Sequence, residues 1–145
     1  MQNSDVQSVL EDLATANIDA IHAYNRALAN ISDTVIHSRL TEFLGEHRKH
    51  VTELTREIRS QGGTPPEMVK GVKGRIVDAV TALHHTAAGL KGVFQALKTA
   101  DARVAVLYGK AVPKIDRSPL RDLLRKHLSS INNHLEYIKN NLQAL

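Results

Sequence analysis

The sequence predicts an all-helical domain of two helical hairpins joined by a helical crossover, and three observations carry that reading. Apolar residues recur at three- and four-residue spacing, while no segment alternates with period two. Pro and Gly are few and gather at a few points, which divides the chain cleanly. A gapless shift of 84 residues lays one half of the chain on the other. At 145 residues, 42% hydrophobic and 23% charged, the chain has the length and balance of one soluble domain able to bury a core.

The first helix is expected to begin near Ser4, which stands at capping-box spacing from Gln7. Val6, Leu10, Leu13, Asn17, Ala20, Tyr24, Ala27 and Ile31 then share one helical face. A second helix follows Asp33 with Leu40, Phe43, Leu44, His47, Leu54 and Ile58 inward, and Gly62-Gly63 ends it. Thr64-Pro65-Pro66-Glu67 reads as a cap, a proline at the first helical position and an acidic first turn, so the next helix is expected from Pro66. Pro113 closes the helix before the last, and Ser118-Pro119 opens the last, which carries Leu120, Leu124, Ile131, Leu135 and Ile138 inward.

Between Pro66 and Val112 the pattern allows one long helix or two helices broken at Gly89 to Gly92. The internal shift favours the break. It pairs Val9 with Val93, Leu13 with Leu97, Tyr24 with Tyr108, Ile31 with Ile115, Leu40 with Leu124 and His50 with His134. The expectation is one domain over 1–145, with hairpins at 5–61 and 89–143 and a crossover at 62–88. A crossover helix of about 20 residues spans roughly 30 Å, enough to return the chain from one end of a bundle to the other.

Composition removes several function classes. Without cysteine there is no disulfide, thiolate site or cysteine nucleophile, in keeping with a cytoplasmic location. No Gly-x-Ser-x-Gly elbow or phosphate-cradling glycine loop is present, so no catalytic residue is assigned. Aromatics are 3% and the net charge is +4, which argues against specific nucleic-acid binding. No apolar stretch approaches the roughly 20 residues that span a bilayer, and no secretory signal is visible, so no membrane association is expected.

The duplicated hairpin, the run Arg-Glu-Ile-Arg-Ser-Gln-Gly-Gly from Arg56 to Gly63, and the placement of the histidines resemble the ferritin-like superfamily. Within it they resemble a small bacterial branch of four-helix bundles labelled as a domain of unknown function. The resemblance covers nearly the whole chain and implies an all-α, ferritin-like four-helix bundle with a long helical crossover.

Metal sites of that superfamily take one carboxylate from each of two helices and a Glu-x-x-His from each of the other two. Carried onto this chain, the resemblance implies the positions Asn17, His47, His50, Asp101, Ile131 and His134. His47 stands where the second helix should carry glutamate, and Ile131 where the last helix should. One aspartate cannot offset the repulsion and desolvation of two adjacent dications, so no di-iron site is expected. A single divalent ion, zinc or iron, would take His47, His50, Asp101 and His134 as ligands. The reading preferred to that ion is a buried hydrogen-bonded network of Asn17, His47 and Asp101, with His50 and His134 half in water at its flank.

The expected function is therefore a non-catalytic, structural or partner-binding bundle with a degenerate metal site. No cofactor is expected, and the single divalent ion, zinc or iron, is the alternative. The alternative is a metal-binding oxidase, peroxidase or metal-storage protein. Glu46 becomes a further carboxylate if the second helix is rotated, while Asp19 and His22 read as surface. Tyr24 and Tyr108 read as core tyrosines with satisfied hydroxyls. His84-His85 near Leu90-Lys91-Gly92 is similar to a histidine phosphotransfer motif, but Ala88 stands where that nucleophile belongs. Ile21, Val106 and Leu107 lie beside the apolar stripe and are expected to be exposed, which points to a homodimer or a protein partner.

Overall fold

In the computed structural model of the chain, residues 3–68 and 72–145 are described, with side chains at 5–68 and 89–145. Among them run four α-helices: α1 (Asn3–Leu28), α2 (Thr34–Ser60), α3 (Val72–Ala111) and α4 (Ser118–Ala144). A 3-10 turn occupies Val112–Lys114, and the described residues form no strand. The hairpin partners α1 and α2 pack closely, as do α3 and α4, while α1 also packs on α3. Helices α2 and α4 approach each other over a much shorter stretch. None of the described helices is long and apolar enough to cross a membrane.

Helix α1 is flanked on two sides, and its sequence is apolar on more than one face to match. Ile18, Ile21 and Ala23 are buried along with the Leu10, Leu13, Ala20, Tyr24 and Ala27 stripe. Ile21 is thus core, at 1% exposure, and not the exposed residue expected from one stripe alone. Leu107 is half-buried against the core, and of the three residues only Val106 stays open to solvent. The helix already includes Asn3, so Ser4 lies inside it and does not cap it. Gln7 instead donates from Nε2 to the Gln61 carbonyl at 2.6 Å, tying α1 to the end of α2.

Asp33 caps α2, its carboxylate accepting from the Ile36 amide at 2.9 Å. At the other end Gly63 N–H reaches the Ile58 carbonyl at 2.9 Å and Gly62 N–H the Arg59 carbonyl at 3.0 Å. Those two bonds make a Schellman ending, and Gly62 takes the left-handed position it needs, at φ 82°. Residues 63–67 then run as irregular chain, so no helix starts at Pro66. Each proline pushes the residue before it out of the helical region, which holds Thr64 and Pro65 extended. The Met68 carbonyl is engaged by His22 Nε2 at 2.7 Å.

Helix α3 is two helical segments meeting at Gly89, whose backbone (φ 63°, ψ −145°) is not helical. The expected break is therefore present. His84, His85 and Ala88, which bear on the phosphotransfer motif, lie outside the residues with described side chains. Pro113 sits in the 3-10 turn after Ala111. Arg117 takes the N-cap of α4, with Ser118 one place inside it and Pro119 in the first turn.

Two apolar clusters fill the bundle. Leu10, Leu13, Leu54, Ile58, Tyr108, Leu120 and Leu124 belong to one. Tyr24, Leu40, Phe43, Leu44, Phe94, Leu97 and Ile138 belong to the other. Between them lies a layer of buried polar side chains: Asn17, His47, His50, Asp101, His127 and His134. Every helix contributes to that layer.

The two positive-φ glycines give a direct stability test. Replacing Gly62 by Ala puts a Cβ into a left-handed cap and is expected to cost about 1 kcal/mol. Gly89→Ala should cost more, up to roughly 3 kcal/mol, because its mirror-extended conformation is closed to other residues. Urea unfolding midpoints at constant slope measure both.

Candidate metal centre

Asp101 is the only carboxylate among the fully buried described side chains, and all four helices send a group to it or carry it. It sits on α3, past the Gly89 break, at 0% exposure. His47 of α2 brings Nε2 to Oδ1 at 2.7 Å. Tyr24 of α1 donates its hydroxyl proton to Oδ2 in a short bond. His134 of α4 places Nδ1 3.7 Å from Oδ2, too far for a hydrogen bond. Burial pushes the Asp101 pKa up, but the imidazoles of His134 and His47 outweigh it and bring it down to about 2. Its carboxylate is therefore ionised. Tyr24 moves the other way, its pKa raised by burial and by the Asp101 charge, and stays a neutral donor.

The other ring nitrogens fix tautomers. Asn17 Nδ2 donates to the Leu13 carbonyl at 2.9 Å, which turns Oδ1 toward the imidazoles. That oxygen lies 2.8 Å from His47 Nδ1 and 3.3 Å from His50 Nδ1, so both nitrogens are donors to it. His47 consequently faces an oxygen on each side, Asn17 Oδ1 at Nδ1 and Asp101 Oδ1 at Nε2. An ion at Nε2 would take the place of the proton shared with Asp101. His134 Nε2 bonds to Glu46 at 3.1 Å, which makes it the donor. Nδ1 is buried and has no hydrogen-bond partner among the described residues.

One ligand atom from each of His47, Asp101 and His134 lies within 4.8 Å of the others. These three have the chemistry of a metal site, and each has a partner behind it: Asn17, Tyr24 and Glu46. His50 is brought to the layer but turned to Asn17, and its ring stacks on His127 at 4.1 Å. It does not join the three-residue group. The positions Asn17, His47, His50, Asp101 and His134 are all found in one buried layer. Ile131 is a core residue.

Two corrections follow. His50 and His134 are not half in water but buried, at 4% and 0%. Phe43 stacks on His134 at 4.2 Å and His127 stacks on His50, so each imidazole is covered by a ring from the facing helix. Sequence reasoning also missed His127, Glu46 as a partner of His134, and Glu53. His127 accepts the Tyr108 hydroxyl proton at Nδ1, 2.8 Å away, and its Nε2 lies 3.1 Å from Glu53. Tyr108 in turn accepts from Asn17 Nδ2 at 3.0 Å. The signal was spacing: His127 lies one heptad before His134, and Glu53 one heptad after Glu46. Asp19 behaves as surface, 4.0 Å from Arg103. Both core tyrosines are buried with satisfied hydroxyls.

Residues 5–98 match the family described as "Domain of unknown function (DUF2383)". Among solved structures, the chain is similar to a ferritin-like, diiron-carboxylate protein from Bacillus anthracis str. Ames. The TM-score is 0.76 and the identity 18%, over 98% of this chain and 99% of that one. At that identity the likeness establishes the fold, a ferritin-like helical bundle. No curated protein matches the sequence.

The His50 environment predicts an acid-sensitive fold. Burial first, then the neighbouring His127, His47, His134 and Lys49, lower its pKa from 6.5 to about 2. Below pH 6.5 the unfolded chain takes up a proton that the folded chain refuses, so stability falls as pH falls. Asp101, lowered from 3.8 to about 2, adds a loss of the same sign below about pH 4. The His50 share is about 2 kcal/mol between pH 7 and 5. Urea unfolding of His50→Gln across that range should show a loss smaller by this amount.

Proposed function

The chain belongs to the DUF2383 family, and we propose that it is a non-catalytic, ferritin-like bundle that holds a single divalent ion at His47, Asp101 and His134. The observation that carries this reading is His134 Nδ1, a buried nitrogen with no hydrogen-bond partner among the described residues, 3.7 Å from the ionised Asp101 carboxylate. Left alone, such an atom loses its hydration with nothing in return. A cation between imidazole and carboxylate satisfies both. Two imidazoles and one carboxylate are ordinary ligands for zinc and for non-haem ferrous iron.

The same residues do not suit two ions. Glu46 and Glu53, the other acids bonded to the layer among the described residues, are both turned to the outer nitrogens of His134 and His127 at the rim. The three ligands are all 0% exposed and, among the described residues, covered by packed rings. A surface hollow between Ser32, His37 and Glu42 lies toward the N-terminal end of α2. From His37 to His47 is roughly 15 Å along the helix. These features favour an ion that holds the helices together over one that turns over a substrate.

A second reading has its own support: the His47–Asp101 bond at 2.7 Å already stabilises the layer without an ion. On that reading the polar layer is a scaffold device, and the protein acts through a partner surface or a homodimer.

Metal titration separates the readings. The wild type is expected to take one Zn²⁺ or Co²⁺ per chain. Asp101→Asn should weaken binding by at least about 100-fold, and Glu46→Gln by about 10- to 100-fold through loss of the partner behind His134. If wild type and Asp101→Asn bind alike, or neither binds better than micromolar, the scaffold reading stands. Two irons per chain with oxygen-dependent oxidation of ferrous ion would instead make it an oxidase or storage protein.

A further inference from the structure

The polar layer has two halves of closely similar geometry. In one, Asp101 faces the Nδ1 of His134, receives the Tyr24 hydroxyl, and has Phe43 stacked on the imidazole at 4.2 Å and 26°. In the other, Asn17 faces the Nδ1 of His50, bonds to the Tyr108 hydroxyl, and has His127 stacked on the imidazole at 4.1 Å and 25°. Asp101 and Asn17, His134 and His50, Tyr108 and Tyr24, His127 and Phe43 each stand 84 positions apart. His47 lies between the halves, with Nε2 on Asp101 and Nδ1 on Asn17.

We infer that Asn17 is the residue that limits this centre to one ion, by placing a locked amide where the other half has its carboxylate. This rests on the one-ion reading proposed above. Three consequences of the amide follow from its bonds. It carries no charge to offset a second dication beside the first. Its Nδ2 is committed to the Leu13 carbonyl and the Tyr108 oxygen, so the side chain is held in one orientation. Its Oδ1 draws a proton onto His50 Nδ1, the nitrogen that corresponds to the unpartnered Nδ1 of His134. The second half therefore presents donors inward where the first presents a carboxylate and an unpartnered nitrogen. Replacing the amide by an isosteric carboxylate reverses this. The Tyr108 hydroxyl is free to rotate from His127 and donate to the new oxygen, as Tyr24 donates to Asp101. The new carboxylate and His50 Nδ1 then become available to a second cation.

The experiment is an ion count by native mass spectrometry and Co²⁺ absorption on wild type, Asn17→Asp, Asn17→Ala and Asn17→Asp/His50→Ala. The expected result is one more ion per chain in Asn17→Asp than in wild type, with the gain absent from Asn17→Ala and lost from the double variant. Equal counts in wild type and Asn17→Asp overturn the inference, as does a wild type that already holds two. A wild type holding none beside an Asn17→Asp chain holding one would sink the native one-ion site and leave the role of Asn17 standing. A measurement on the unaltered protein runs in parallel. With Zn²⁺ bound, nitrogen-15 spectra of the imidazoles should keep a proton on His50 Nδ1, and its loss would show His50 already ligating and overturn the inference.

Discussion

A carboxylate with no solvent contact in an apolar bundle sets the terms for everything around it. Asp101 stays ionised in the interior only because donors and imidazoles converge on it from the three other helices: Tyr24, His47 and His134. Those contacts fix more than a charge. Tyr24 of α1 and His47 of α2 meet on one residue of α3, so the axial register of three helices is set at a single point. Removing one partner from such a buried group typically costs 3–5 kcal/mol, since the charge is then left without compensation. Apolar packing above and below tolerates small sliding of helices; this layer does not.

The side of the bundle between α2 and α4 is closed differently from the others. Here two Glu–His pairs, Glu46 with His134 and Glu53 with His127, cross from one helix to the other. Within each helix the members are seven residues apart and their order is reversed, as antiparallel neighbours require. Ser130 adds a hydroxyl to Glu46 at 2.8 Å. Since each glutamate sits at the rim and each histidine inside, the pairs carry the polar layer outward to solvent. The buried imidazoles are thereby held by groups that keep part of their hydration, which lowers the cost of placing them in the core.

The helical stripes and the two ends of α2 were legible because they depend on local chemistry. Leucine and alanine spacing, the Asp33 cap and the Gly62-Gly63 ending are written in neighbouring residues, and each is found where the pattern puts it. Asn17 and His47 were legible as polar residues on apolar faces, and their grouping with Asp101 came from what the ferritin-like resemblance implies. Pro65-Pro66 misled because a proline fits a helix start only if the residue before it is free to be extended and the next is free to turn, and two in succession hold the chain extended. His127 was invisible for a different reason. Its neighbours Tyr108 and Glu53 are distant in sequence, and what makes it polar core instead of surface is a stack with His50 that no local pattern announces. Ile21 was misplaced because one stripe was assigned to a helix that has neighbours on two sides.

The distribution of acids around the layer bears on what kind of ion it suits. Only Asp101 lies among the candidate ligands; Glu46 acts one bond further out, through the imidazole of His134. An acid in that position fixes the tautomer and raises the basicity of the nitrogen on the far side, without itself crowding an ion. Negative charge is thus delivered through nitrogen donors. A centre with two carboxylates in contact suits a pair of hard, highly charged ions that share them. A centre whose anionic character comes through imidazole suits one ion of borderline softness, with zinc and ferrous iron the first-row cations of that class. In the opposite half the same logic stops short. Glu53 stands behind His127, but His127 faces Tyr108 instead of an ion position, and Asn17 supplies no charge. The asymmetry between Asp101 and Asn17 therefore reaches beyond one side chain. It separates the half that carries the candidate ligands His47, Asp101 and His134 from the half that is closed by its own hydrogen bonds.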